Sequence, residues 1–216
     1  MKFAIYLLLN YNKLTTLFLC KRESMKKTLF IVSVLIVAVI STACINNFAV
    51  RDLNNKAQTY MQKGDYIQAI ERLKSSLDLD PTVFETHYNL AIAYTKAEDY
   101  LNASEEYQKA LEIKPDEADV FYSLATAQNN LAVDIEQGRV RLNVDGKLYK
   151  PNADEIDFEE KYEMNSQEKE FSAEYKNAAL QNYNKYLELK PNADDKNEVK
   201  QQIESLTKTD TPKTEE

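Results

Sequence analysis

The sequence predicts an all-α protein, a solenoid of stacked helical hairpins. Three observations carry that prediction. First, the stretch from Val50 to Pro81 recurs from Phe84 to Pro115 at a constant offset of 34 residues. Tyr60 falls on Tyr94, Asp65 and Tyr66 on Asp99 and Tyr100, Ala69 on Ala103, Leu77 on Leu111, Leu79 on Ile113, and Pro81 on Pro115. A fixed period of that size marks a helical-hairpin array. Second, only 3 Gly and 5 Pro occur in 216 residues, which leaves few turns and favours long helices over a many-stranded sheet. Third, there are 14 Tyr and no Trp. Tyr buries a large ring while keeping its hydroxyl at a wet edge, which suits a thin array without a thick core.

The N-terminus reads as an address. Met25, Lys26 and Lys27 lead into Leu29 to Ile40, apolar throughout except for Ser33. The small residues Ser41, Thr42 and Ala43 then precede Cys44. Basic start, apolar run and small residues at a cleavage point make a secretory signal. The apolar run is short for a bilayer span, which takes roughly 20 residues. The segment Ile40-Ser41-Thr42-Ala43-Cys44 resembles a bacterial lipoprotein signal, with Ser41 standing where Leu is usual. The resemblance implies a diacylglyceryl group on the Cys44 thiol and an acyl chain on its amine. Each buried methylene contributes about 0.8 kcal/mol, so more than one chain holds firmly. Two other outcomes fit these residues: cleavage after Ala43 to release a soluble periplasmic protein, or an uncleaved anchor. Residues 1–24 read as sequence upstream of the true start at Met25, or as a second membrane segment.

Charge narrows the partners. The chain holds 27 cations and 35 anions. Residues 1–44 contain six of the cations and one anion, so the remainder has 21 against 34, a net −13. That balance argues against nucleic acid, which needs a basic patch to displace counterions. No cysteine follows Cys44, so the folded part has neither a disulfide framework nor a cysteine metal site.

Within the array, Ala57 with Ala69, and Ala91 with Ala103, let paired helices approach closely while larger residues at helical spacing fill the seam. Gly64-Asp65 and Glu98-Asp99 read as the turns inside the hairpins. Thr82 with Glu85 reads as a capping box and Asp116 as a cap for the helix after Pro115.

These positions resemble the tetratricopeptide repeat, whose pattern is Trp-x2-Leu-Gly-x2-Tyr, then Ala-x3-Phe, then Pro. The second repeat supplies His87, Leu90, Ala91, Tyr94, Ala103, Tyr107 and Pro115. The first supplies Leu53, Lys56, Ala57, Tyr60, Ala69, Leu73 and Pro81. Lys56 stands where Leu is expected, which is tolerable at the end of an array. The resemblance implies a right-handed superhelix whose first helices line a groove for a protein or peptide partner. Carried over, the lining is Asn54, Gln58 and Met61 from the first repeat. The second gives Tyr88, Asn89, Ile92 and Lys96, and the third Tyr122, Thr126 and Asn129. Some family members clamp a terminal carboxylate with Lys, Arg and Asn. Asn89 matches one such Asn, but Asp119 and Ser123 stand where cations are needed.

The third repeat is interrupted. Phe121, Leu124 and Ala125 match the first helix, with Gln128 replacing Tyr, and this helix runs on to about Gly138. Ala179, Tyr183, Leu187, Leu189 and Pro191 match the second. Pro115 and Pro191 are 76 residues apart, one period of 34 plus 42. The organisation is therefore a leader over 1–44 and an array over 45–206. The repeats fall at 50–83, 84–117 and 118–190, with an insertion over about 131–172. A capping helix follows at 192–206, led by Asn192, and a polar disordered tail at 207–216. The insertion holds alternating residues from Val140 to Val144 and from Lys147 to Tyr149 around Asp145-Gly146, a hairpin with a two-residue turn. The acidic stretch Asp154 to Glu170, with Phe158 and Tyr162, reads as partly helical. A competing register makes 119–150 a decayed repeat and 154–190 another, because Lys150-Pro151-Asn152-Ala153-Asp154 nearly duplicates Lys190-Pro191-Asn192-Ala193-Asp194.

Chemistry leaves little mark. The one histidine, His87, sits where the repeat packs its Trp, a structural place. There is no phosphate loop, no metal-ligand spacing, no implied cofactor and no nucleophile set. Glu105-Glu106 and Glu159-Glu160 read as solvated charges, since neighbours on a helix point about 100° apart. The expectation is a non-enzymatic adaptor or scaffold in the bacterial cell envelope, lipid-anchored and facing periplasm or exterior. Similar lipoproteins serve pilus or outer-membrane protein assembly. The alternative is a structural protein, anchored or soluble in the periplasm, whose acidic insertion makes the contact.

Overall fold

The structure, a computed structural model, describes residues 47–152 and 162–209. The chain divides into two compact units, residues 1–49 and 50–216. The leader with Cys44, the start at Met25, Phe158, and residues 210–216 of the tail lie outside the described residues. Among those described there are seven helices and two short strands. The helices are α1 (47–62), α2 (Tyr66–Leu79), α3 (Phe84–Lys96), α4 (Tyr100–Ile113), α5 (Ala118–Glu136), α6 (Ser166–Leu189) and α7 (Lys196–Thr209). The strands β1 (Arg141–Leu142) and β2 (Leu148–Tyr149) fall between α5 and α6. No helix of the described residues is long and apolar enough to cross a membrane.

The helices pack in chain order, α2 on α3, α3 on α4, and so on to α7, as an all-α solenoid requires. The small residues sit where the backbones meet: Ala57, Ala69, Ala91 and Ala103 are fully buried. Leu73, Leu90 and Tyr107 fill the seam beside them in one core that runs from α1 into α5. A second core joins α5, α6 and α7 through Ala125, Ala179, Tyr183, Tyr186, Val199 and Leu206.

Inside each regular hairpin three residues join the helices, 63–65 and 97–99, and the middle one is left-handed. Gly64 has φ +76°, and Glu98, with a side chain, has φ +55°. The next residue caps the following helix: Asp65 accepts from the Gln68 amide at 3.2 Å and Asp99 from the Asn102 amide at 3.3 Å. The two caps expected after Pro81 and Pro115 do not form. α3 starts behind Val83 and α5 behind Glu117, neither with a side-chain cap bond. Thr82 is taken by Asp80 Oδ1, which accepts from its amide at 2.9 Å and its hydroxyl at 2.6 Å. The last helix begins at Lys196 rather than near Asn192, because residues 190–196 form successive turns, and it runs past 206 to Thr209.

The third hairpin absorbs its extra residues partly as helix. α5 has 19 residues against 13 in α3, and α6 has 24 against 14 in α4. The added turns and the intervening chain bury a third core of Leu131, Ile135 and Val140, with Leu148, Met164, Phe171 and Tyr175 around it and Tyr100 and Leu101 of α4 below. The strands pair antiparallel, Arg141 with Tyr149 and Leu142 with Leu148. Their loop has three residues instead of the expected two. The Gly146 amide donates to the Asn143 carbonyl, the Asn143 amide to the Lys147 carbonyl, and Gly146 takes φ +72°. That is a bulged hairpin, favoured where Gly follows a type I turn. A strand pair, not a helix, follows α5 where the decayed-repeat register over 119–150 places its second helix.

Candidate functional site

The first helices α1, α3 and α5 carry the ten residues expected to line a groove, and the structure sorts them into two groups. Asn54 turns inward. Its amide nitrogen lies 2.9 Å from the Val50 carbonyl, from Ser76 Oγ and from Thr86 Oγ1, tying α1 to α2 and α3. Ser76 and Thr86 are fully buried, so Asn54 is interhelical packing rather than groove. Thr126 is also engaged, donating to the Tyr122 carbonyl at 3.0 Å and lying 3.1 Å from the Tyr183 hydroxyl. Met61 and Ile92 are half-buried against the first core. The remaining six keep free groups. Gln58, Asn89, Lys96 and Asn129 bond no described residue, and neither do the hydroxyls of Tyr88 and Tyr122.

The two tyrosines are braced from beneath. Tyr88 stacks on Phe84 at 5.9 Å with 10° between the planes, and tilts onto Tyr107 at 6.0 Å. Tyr122 meets Tyr183 edge-on at 5.9 Å and Tyr186 at 5.3 Å. Burial pushes the Tyr107 and Tyr183 phenols up, and burial with the Asp195 carboxylate does the same for Tyr186. All three stay neutral supports for the rings above them.

The lysine of an ion pair lies over one bracing ring of each tyrosine, Phe84 for Tyr88 and Tyr186 for Tyr122. Lys114 Nζ lies 3.0 Å from Glu85 Oε1, and Lys190 Nζ lies 2.5 Å from Asp119 Oδ1. Lys114 holds the Glu85 carboxyl below its usual range, and Asp119 holds the Lys190 ammonium above its own. These are one device used twice, because each lysine precedes the proline that ends its repeat.

His87 is buried as expected, but its partner was missed. Glu106 is only 8% exposed, which corrects the reading of Glu105-Glu106 as a solvated pair. Its Oε2 meets His87 Nδ1 at 2.6 Å and its Oε1 accepts from Lys109 at 2.8 Å, while His87 Nε2 donates to the Pro81 carbonyl at 2.9 Å. No helical period reveals a pair 19 residues apart.

At the insertion, Tyr162 lies against Gly138 so closely that a Cβ there would come within 2.6 Å of the ring. The Arg141 guanidinium covers the ring at 4.8 Å. Glu168 accepts from the Leu142 amide at 3.2 Å and the Asn165 amide at 3.0 Å, joining β1 to the capping box of α6. Burial raises the Glu168 carboxyl, but the Tyr162 hydroxyl beside it and these two amides outweigh that and hold it low. The hairpin tip is open, with Val144 fully exposed. A hollow of about 560 Å³ along α6, lined by Glu170, Ala173, Glu174, Asn177, Ala178 and Gln181, holds none of the ten groove residues. Among the described residues no group of three His, Cys, Asp or Glu could hold a metal ion.

Comparison with known proteins agrees with this fold. Residues 57–97 match a TPR repeat family and residues 84–117 the tetratricopeptide repeat itself. Among solved structures, the second TPR domain of human RPAP3, in complex with the HSP70 peptide SGPTIEEVD, is 15% identical with a TM-score of 0.51. That match covers 75% of this chain and 98% of the other. The Arabidopsis OM64 TPR domain is 12% identical with a TM-score of 0.51, covering 74% and 98%. No curated protein sequence matches.

Proposed function

We propose, with the tetratricopeptide repeats over residues 57–117 as premise, that this chain is a protein-binding module of the bacterial cell envelope. It is tethered through lipid on Cys44 and acts as an adaptor rather than an enzyme. The observation that carries the reading is the set of free amides and hydroxyls on α1, α3 and α5: Gln58, Asn89, Asn129, Tyr88 and Tyr122. Side-chain amides donate to and accept from peptide groups, while braced tyrosine rings take apolar side chains. The peptide on the RPAP3 domain makes such use of this fold a reasonable precedent. A photo-crosslinking residue at Asn89 should yield an adduct with an envelope protein that Gln58→Ala with Asn129→Ala abolishes. Adduct formation from Val144 instead would move the contact to the insertion, the second reading, which the open hairpin tip supports. Mass spectrometry of the mature N-terminus tests the tether. An unmodified Cys44, or a start after it, removes the tether.

A further inference from the structure

The charges beside Tyr88 and Tyr122 bear on which part of a partner this face takes. Both lysines next to the rings are already engaged, Lys114 by Glu85 and Lys190 by Asp119. Each also lies over its own repeat's aromatic ring, 4.1 Å from the Phe84 centroid and 6.0 Å from that of Tyr186. A terminal carboxylate brought to either ammonium meets a protein carboxylate there first, and like charges in register are repulsive. At the start of the first helices the series runs Arg51, Glu85, Asp119, one cation against two anions. The free polar groups between are mostly neutral, with Lys96 at the opposite end of α3 from Glu85. Beyond residue 44 the chain carries 21 cations against 34 anions, a field that slows the approach of acidic peptides and draws basic ones.

We infer that this face binds an internal, net-positive stretch of a partner chain and rejects an acidic carboxyl terminus. An internal stretch offers peptide N–H and C=O groups to the Asn and Gln amides along its whole length. It needs no clamp for a terminal charge. Its own cations are drawn by the net-negative surface of the chain beyond residue 44. The inference rests on the groove reading given above.

The test uses the full chain in detergent micelles and four pools of fluorescent, randomised 12-residue peptides. The pools have either blocked ends or a free carboxyl terminus, and either two Lys or two Glu flanking the random core. The blocked, Lys-flanked pool should bind about tenfold more tightly than the free-carboxyl, Glu-flanked pool. Unblocking the terminus alone should give no gain. The reverse order overturns the inference and leaves the groove standing. No binding by any pool, or binding indifferent to Gln58→Ala with Asn89→Ala and Asn129→Ala, overturns the groove itself. A second variant, Asp119→Lys with Ser123→Arg, should gain about tenfold for the free-carboxyl pool. A helical, folded variant that gains nothing counts against the inference.

Discussion

In the hairpin α3–α4, the second helix reaches the first through Glu106, whose carboxylate meets His87. In α5–α6 the residue at that place is Asn182, and its amide donates to Gln128 at 2.7 Å, about two turns along α5 from Phe121, which stands where His87 does. The stacking residues do not change: Ala91 and Ala103 recur as Ala125 and Ala179, and Tyr107 as Tyr183. The ion pair between helix start and helix end also recurs. Shape at the seam is thus held across both hairpins, while the polar tie is free to move. The regular hairpin rests on a buried carboxylate bonded to a histidine. The interrupted one has a neutral tie and an additional core.

That contrast can be broken at its strongest point first. His87→Ala leaves Glu106 buried beside Lys109 alone and the Pro81 carbonyl without its donor, and should cost about 4 kcal/mol in urea unfolding. Asn182→Ala, at the place of Glu106 in α5–α6, should cost only about 1 kcal/mol. Equal losses would remove the distinction between the two ties.

Gly138→Ala comes next. It adds a methyl inside the Tyr162 ring at a backbone φ of +70°, and should cost about 3 kcal/mol, with faster amide exchange confined to the insertion. Exchange that spreads to α3 and α4 would mean the two hairpins are not separable.

Glu168→Gln should cost about 2 kcal/mol at neutral pH, since a charge-assisted bond to Leu142 is weakened. The folded Glu168 carboxyl lies below its unfolded value. Its contribution is therefore present above the ordinary carboxylate range and lost as pH falls through the lowered value. Protection of the Leu142 amide should fade in acid in the parent, while the variant lacks that step.

The smallest effect is a gain. Glu98→Gly relieves a left-handed turn that Gly64 already makes with ease, and should add about 1 kcal/mol. Lys150 donates to the carbonyl of residue 98, which the change retains.

Much of this was legible in order of sequence distance. The period of 34 marks the hairpins because seam alanines and helix-ending prolines act locally. Gly146 marks the strand turn, although the loop is one residue longer than a two-residue turn. The rest depends on partners far apart in the chain. Asn54 looks like a groove amide until Ser76 and Thr86, 22 and 32 residues on, claim it. Thr82 looks like a cap until Asp80 captures it. Glu106 looks solvated because sequence spacing does not show that His87 faces it from the neighbouring helix.

The bends of the regular hairpins take three residues each, 63–65 and 97–99, where the third hairpin spends residues 137–165. Such a bend is a port. Polypeptide spliced in there builds a small core of its own, seated on Tyr100 and Leu101 of α4. The number of repeats and the freight each bend carries can therefore diverge independently.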